Sequence, residues 1–386
     1  MVYQRFSLSK HQLKTHKIIE RYREGDLSRY QAALKLGVSE RTVTRKAKAM
    51  REQGLPALRH GNIGKKPANK YSDQIKCWYL DVYRKYYYDF NYSHAYERII
   101  RDRHPSVVVA YDTFRRWLRF EGVGKTKKRR SSKARIARER HANEGLMVQL
   151  DGSPHKYNGK DEWTLISIID DATSKVLASQ LHKSETTFAC MQVLRELIEK
   201  HGIPEFILTD QAGWSARTGK RAHFSQFERA CKELDITIIS TSVPESKGRV
   251  ERSFRTSQDR LPPEIRLAGI SDLEAANEYL KTTFIPDWNK RFAVKPKDST
   301  TRFRPLRINV DLDNILTLKF IRQINKAHTI SFHGKIYKLT NPPRNLWRLE
   351  ATITLSERGK IKIFWDQMEL EYSEVIKPER QWLMGA

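Results

Sequence analysis

A multidomain α/β protein is what this sequence predicts, on three observations. Helical patterning recurs between about Lys14 and Gly122, apolar strand runs alternate with helices from Leu146 to about Leu261, and short strands around glycine turns occupy the last part. That order calls for several separately packed layers, and 386 residues give chain enough for two to four domains.

The central region is the most informative. LMVQLDGSPHKYNGKDEWTLISIIDDATSKVLASQL reads as two antiparallel strands joined by an Asn158-Gly159 turn, with a third strand after Thr173-Ser174-Lys175. Met147, Gln149 and Asp151 share one side of the first strand, so Asp151 projects where strand gives way to loop. TTFACMQVLRELIEKHG is a helix closed by Gly202 and Pro204, and PEFILTDQAG then repeats the strand-then-acid pattern at Asp210. In TSVPESKGRVERSFRTSQDRL, Val250, Phe254 and Leu261 recur at helical spacing, with Lys247, Glu251, Arg255 and Gln258 beside that stripe. Pro262-Pro263 should end this helix near Leu261. Asp170 and Asp171 read as local turn hydrogen bonding, and Asp161 and Glu162 as solvated turn residues.

Asp151, Asp210 and Glu251 are the candidate catalytic and metal-ligating residues. A lone Asp after a strand is more often a turn or cap residue, but three acids in strand, strand, helix order, the last within KGRVER, reverse that preference. In-line attack on a phosphodiester needs a deprotonated nucleophile and a stabilised leaving oxygen, which two divalent ions roughly 3.5 to 4 Å apart supply together. Hard carboxylate oxygens suit Mg²⁺ or Mn²⁺, two ions per site. Lys247 and Arg255, one helical turn either side of Glu251, are candidate phosphate contacts.

Charge points to the partner. Against 45 Asp and Glu stand 72 Lys and Arg, a net +27 with pI near 9.9, so a polyanion is expected and double-stranded DNA leads. No apolar stretch is long enough to span a bilayer and no signal-peptide pattern opens the chain, which disfavours a membrane role. Cys77, Cys190 and Cys231 form no CxxC pair and read as buried thiols in a reducing compartment. His11 and His16 have no cysteine partners for a zinc site. Gly64-Lys65 lacks the upstream glycine of a phosphate-binding loop, so no nucleotide cofactor is expected.

The flanks fit a DNA partner. Residues 1–13 are polar, and a helix from about Lys14 to Arg23 ends at Gly25. Ser28 to Gln31 forms a capping box for a helix that stops at Gly37, and Ser39 caps another to about Arg51. This is the pattern of a helix-turn-helix in residues 1–58, with Ser39, Arg41, Thr42, Arg45 and Lys46 as candidate DNA contacts. A plain helical bundle with a basic face is the competing reading, which the net charge disfavours. A basic linker, 59–71, follows. Residues 72–122 read as a second, helix-turn-helix-like unit: Ile75, Trp78, Val82 and Tyr86 form its first apolar stripe, and Arg115, Arg116 and Arg119 on its last helix are candidate contacts. A second basic linker, 123–145, holds GKTKKRRSSKARIARERH, with nine Lys and Arg and one acid; Lys127, Lys128, Arg129 and Arg130 are its candidate phosphate contacts. Beyond the centre, a helix from Ser271 to about Phe284 precedes the basic, irregular stretch IPDWNKRFAVKPKDSTTRFRP. Residues 308–376 hold hairpins at His333-Gly334 and Arg358-Gly359, giving about five strands and a small barrel.

The run from VQLDGSPH through IIDDATS, ILTD and PESKGRVERSFRT resembles the catalytic core of DDE-type transposases and retroviral-type integrases, and is most similar to insertion-sequence transposases of the integrase-like branch, with the ISNCY group nearest. The resemblance covers roughly residues 140 to 300. It implies an RNase H-like core over 146–300, a mixed sheet with flanking helices, and an SH3-like C-terminal barrel. The family's acids fall on Asp151 in LDGS, Asp210 in LTDQ and Glu251 in KGRVERSF, with Asp151 serving both ions, Asp210 one and Glu251 the other. The interval from Asp210 to Glu251 is longer than in retroviral integrases, and QAGWSARTGKRAHFS holds the surplus. The implied activity is that of a DNA transposase: binding the terminal inverted repeats of a mobile element, cleaving its 3′ ends and joining them to target DNA. A homodimer or higher homo-oligomer on DNA and a cytoplasmic, nucleoid-associated place in a bacterium go with it. The competing readings are an RNase H-fold nuclease that cuts without joining, a site-specific repressor with vestigial acids, and a structural nucleoid protein.

Overall fold

The computed structural model describes residues 10–58, 70–124, 138–209, 225–240 and 248–375. The chain divides into two compact units, residues 1–76 and 77–386.

In the first unit, helices α1 (Lys10–Arg23), α2 (Arg29–Leu36) and α3 (Glu40–Gln53) precede a 3₁₀ turn at Leu55–Leu58. The capping box forms: Ser28 Oγ accepts from Gln31 N at 3.1 Å, and Gln31 Oε1 accepts from Ser28 N at 3.0 Å. Gly37 ends α2 at φ 63°, where a side chain would be strained, and Ser39 then caps α3 through Thr42 N. Ile19, Ala32, Val43 and Met50 close the core between the three helices.

The second unit opens with α4 (Asp73–Tyr86, which spans the boundary), α5 (Tyr92–Arg103) and α6 (Tyr111–Phe120). The buried stripe of α4 is Tyr79, Leu80 and Tyr83, continued by Tyr87, while Trp78 stays 38% exposed. The stripe read from Ile75, Trp78, Val82 and Tyr86 is therefore one residue out of phase. In so aromatic a helix two stripes compete, and the buried one holds Tyr79 and Tyr83, whose hydroxyls find backbone acceptors: Tyr79 donates to Val107 O and Tyr83 to Phe90 O, both at 3.0 Å.

The centre of this unit is a five-stranded sheet in the order β3-β2-β1-β4-β5. Its strands are β1 (Met147–His155), β2 (Trp163–Asp170), β3 (Val176–His182), β4 (Phe206–Thr209) and β5 (Thr237–Ser240). The first three pair antiparallel, whereas β1 with β4 and β4 with β5 are parallel. Every residue of β2 is buried, as a strand covered on both faces must be. One face packs on α7 (Thr187–His201) and α8 (Gln226–Glu233), the other on α9 (Gly248–Leu267), α10 (Leu273–Tyr279) and α11 (Ile285–Phe292). This mixed sheet with helices on both faces fits an RNase H-like core.

Two readings of the helices need correction. Pro262-Pro263 does not end α9, which runs on to Leu267. Two ladder bonds are lost, but Leu261, Pro263, Glu264 and Ile265 are buried and packing outweighs the loss. IPDWNKRF is not irregular either. It is α11, which continues α10 through a π-helical turn at Leu280–Phe284, with Trp288 buried.

The far half of α9 carries α4 and α5 on polar contacts. Asn91 Nδ2 donates to Asp259 Oδ2 at 2.6 Å, Arg260 pairs with Glu97 at 3.0 Å, and Arg266 pairs with Asp89 at 2.7 Å. At the centre His94 Nε2 meets Glu264 Oε1 at 2.5 Å, with Tyr279 donating to Oε2 at 2.7 Å and Arg98 4.0 Å away. Burial works against charge at Glu264, but the bonds from His94 and Tyr279 outweigh it and hold its carboxyl below the usual range. Burial also pushes the His94 imidazole below its ordinary value, against the pull of Glu264. Both depressed values have one sign. The His94 share of stability is present above about pH 6.5, where the unfolded chain's imidazole begins to protonate first, and the Glu264 share is lost as pH falls through its folded value. Melting measured across pH should therefore show acid destabilisation beginning near pH 6.5, and His94→Gln should flatten that first part. An unchanged profile in the variant would rule out the pair as its source.

After α12 (Leu312–Ile315), which packs on the sheet's α7 side, seven strands follow: β6 (Leu318–Gln323), β7 (Thr329–Phe332), β8 (Lys335–Leu339), β9 (Glu350–Leu355), β10 (Ile361–Trp365), β11 (Met368–Leu370) and β12 (Tyr372–Val375). They form sheets β11-β10-β9-β6 and β12-β8-β7 around one core of Ile330, Phe332, Tyr337, Leu346, Ile353 and Ile363. Both expected hairpins are present. The strands beyond the expected five include β11, reached by a turn at Asp366-Gln367 whose positive φ no glycine announces.

Candidate active site on the β1 face toward α9

The strand β1 lies between β2 and β4, and its side chains alternate between two cores. Val148 and Leu150 enter the α7 and α8 side. Gln149, Asp151 and Ser153 take the other face: Ile169 and Leu165, across the ladder from Gln149 and Ser153, pack with Val250 and Phe254 of α9.

Two hydrogen bonds register strand against helix. Gln149 Oε1 accepts from Val250 N at 3.3 Å, and Gln258 Nε2 donates to Ser153 Oγ at 2.9 Å. From Gln149 to Ser153 the strand advances about 13 Å, and from Val250 to Gln258 the helix advances about 12 Å, so the two run alongside in one direction. Asp151 stands midway on the strand. Glu251 and Arg255 share a helix stripe with Gln258, the residue that touches Ser153. Asp151 is half-buried, with Oδ1 accepting from Gly152 N at 3.1 Å; Glu251 and Arg255 are exposed.

A further acid escaped the reading of the sequence. The Glu185 carboxylate, just ahead of the Thr186 cap of α7, lies so close to Gly152 that a Cβ there would overlap it. The glycine after Asp151 was the available signal: a side chain there would have to displace the Glu185 carboxylate.

Asp170 keeps largely to its turn, accepting from Thr173 N and Oγ1 at 2.7 Å each, and from Gly145 N at 2.9 Å. Asp171 does not. It is wholly buried, and it accepts from Arg249 Nη1 and Gln149 Nε2, both at 2.7 Å, from His141 N at 3.1 Å, and from Arg138. Local bonding is thus the wrong description: Asp171 ties the entry to β1, β1 itself and the first turn of α9 into one network. Asp161 and Glu162 are exposed, as expected.

Asp210, Lys247, Lys127, Lys128, Arg129 and Arg130 lie outside the described residues. Among the described residues no group of three His, Cys, Asp or Glu could hold a metal ion. On α3, Arg41 and Arg45 are exposed and Lys46 half-exposed, while Ser39 and Thr42 bond each other at 2.9 Å in the cap. On α6, Arg116 and Arg119 are exposed and Arg115 pairs with Asp112 at 2.8 Å. Cys190 and Cys231 are buried thiols, but Cys77 is exposed, on the solvent side of α4 once the stripe shifts to Tyr79 and Tyr83. No helix among the described residues is long and apolar enough to cross a membrane.

No protein-family model matches the chain. Individual relatives do. It is 29% identical over 387 residues to the Sinorhizobium fredii protein y4bF, which carries a transposase name; the match covers 97% of this chain and 83% of that one. It is 28% identical over 382 residues to the transposase for insertion sequence IS1202 of Streptococcus pneumoniae, covering 89% and 81%. Among solved structures, the HTLV-2 integrase catalytic core domain in complex with magnesium matches 36% of this chain and 87% of its own at 20% identity and a TM-score of 0.30. A chain of the simian T-cell lymphotropic virus intasome in complex with a PP2A regulatory subunit matches 70% and 92% at 16% identity and a TM-score of 0.34. Over most of its length, then, the chain is similar to two proteins named as transposases, one of them for an insertion sequence.

Proposed function

We propose that the protein is a DNA transposase that binds the terminal inverted repeats of a mobile element, cleaves its 3′ ends and joins them to target DNA. One observation carries this reading: the ties from Gln149 and Ser153 to α9 set Asp151 on the face that Glu251 borders. Asp210 follows the last residue of β4, and in sequence it stands as far from Asp151 as Phe206 stands from Met147, its partner in the parallel pair. The three acids are hard oxygen donors and would hold two Mg²⁺ or Mn²⁺ ions, which when bound supply a deprotonated nucleophile and charge at the leaving oxygen. Arg255, exposed beside Glu251, and Lys247 would hold the strand by its phosphates.

The other parts would deliver DNA to that face. The helix α3 reads a major groove in a helix-turn-helix with α2, through Arg41, Arg45 and Lys46. The basic residues of α6 add a second contact. The barrel is SH3-like, and the domains are those set out from the sequence. A homodimer or larger assembly, cytoplasmic and nucleoid-associated, handles both element ends. The test is incubation with the DNA flanking the reading frame, Mg²⁺ and a supercoiled plasmid, followed by sequencing of junctions. Joined ends are expected. Nicked ends that never join would leave a nuclease, and binding without either a repressor.

A further inference from the structure

Beside the first turn of α9, on the side of segment 138–140, lies a cleft of about 380 Å³ with five cations in its wall: Arg138, Arg140, Arg249, Arg252 and Lys297. Their charge is poorly compensated. Asp171 is shared between Arg138 and Arg249, and Lys297 stands 4.0 Å from the exposed Glu139. The Arg140 guanidinium is pinned by neutral oxygens alone: Ser174 Oγ at 2.8 Å, Ala172 O at 3.1 Å and Asp171 O at 3.4 Å. Among the described residues no carboxylate pairs with Arg140 or Arg252. Holding a guanidinium by uncharged acceptors fixes its direction while leaving its charge for something else.

We propose that this cleft seats a backbone phosphate of the DNA strand whose reacting phosphodiester lies at Glu251. The inference rests on the functional reading above for the location of that phosphodiester. The chemistry selects a phosphate, because a fork of guanidinium donors matches its oxygens and the five cations offer no pattern that would read a base. It selects DNA over a free anion because the cleft lies at the first turn of α9, the turn that carries Glu251, so the two are within about one 5.4 Å turn of each other along the helix.

The experiment compares the full chain with the Arg140→Gln/Arg252→Gln/Lys297→Gln variant, using a fluorescein-labelled duplex from the flanking DNA and inorganic phosphate as a second probe. For the variant, the slope of log affinity against log salt is expected to fall by about 0.9 for one phosphate no longer neutralised, with equal weakening on unrelated duplex. Should the triple variant not fold, Arg252→Gln alone, exposed on α9, gives the same reading, and Arg252→Lys should restore most of it. An unchanged slope in a folded variant overturns the proposal, as does failure of the parent chain to bind duplex. A cleft that inorganic phosphate stabilises thermally while the DNA slope stays put is a free-anion site, and also overturns it. Binding needs no chemistry, so the outcomes separate: cutting with an unchanged slope sinks this inference alone, and a shifted slope without cutting sinks only the transposase reading.

Discussion

Asp151→Asn and Glu251→Gln should each abolish strand cleavage and joining in Mg²⁺, a loss on the order of a thousandfold or more, while duplex binding stays near that of the parent chain. The size follows from what the acids would do. Removing one preorganised electrostatic group from a catalytic centre costs about 10² to 10³ in rate, and a metal ligand also sets the occupancy of an ion that contributes several kcal/mol. Survival of the fold is expected because neither side chain is buried: Asp151 is half-exposed in the middle of β1 and Glu251 is exposed. The neighbours that fix the two elements, Gln149, Ser153 and Gln258, are untouched by either change. Asp161→Asn and Glu162→Gln, in an exposed turn of the same sheet, provide the contrast and should leave the rate within about twofold, as surface changes usually do. Cleavage persisting in both the Asp151 and Glu251 variants would remove the catalytic assignment whatever the relatives do.

How much of this was legible beforehand varied with the physics involved. The β1 to β3 meander and the α9 stripe were visible because alternation and helical spacing are properties of the chain itself: Val250, Phe254 and Leu261 are all buried where their period put them. Caps at Ser28 and Ser39 were legible for the same reason, since a hydroxyl and an amide three residues on meet locally. Errors arose where a partner distant in sequence decided the outcome. Nothing within α4 tells Trp78 from Tyr79 until Val107 O is there to accept a hydroxyl. Pro262-Pro263 reads as a stop until the burial of Leu261 and Ile265 is counted against two missing bonds. At the candidate site Asp151 and Glu251 stood out by type and position, but Glu185 could be found only by asking what fills the space above Gly152. Asp171 was misread because its partners, Arg138 and Arg249, come from segments 33 and 78 residues away.

That last residue carries the largest expected effect on stability. Asp171 is fully buried and faces two guanidinium groups, Arg249 with 11% and Arg138 with 31% of its side chain exposed. Its own burial is costly and is offset by charge-assisted bonds to several donors, so an intact network adds little net stability. Breaking it is another matter. Asp171→Ala leaves two cations without their shared carboxylate and strands the Gln149 amide, and it should cost about 3 to 5 kcal/mol in denaturant unfolding. The loss is expected first at the start of α9, where hydrogen exchange at Val250 N would report release from Gln149 before the sheet opens. If uncompensated charge is the cause, removing a cation as well should help: Asp171→Ala/Arg249→Met should recover part of the stability lost by Asp171→Ala, with a coupling of about 1 to 3 kcal/mol in the double-mutant cycle. A cost under about 1 kcal/mol for Asp171→Ala, the range of a solvated pair, would show that water reaches the network and that α9 is held in place by its apolar stripe alone.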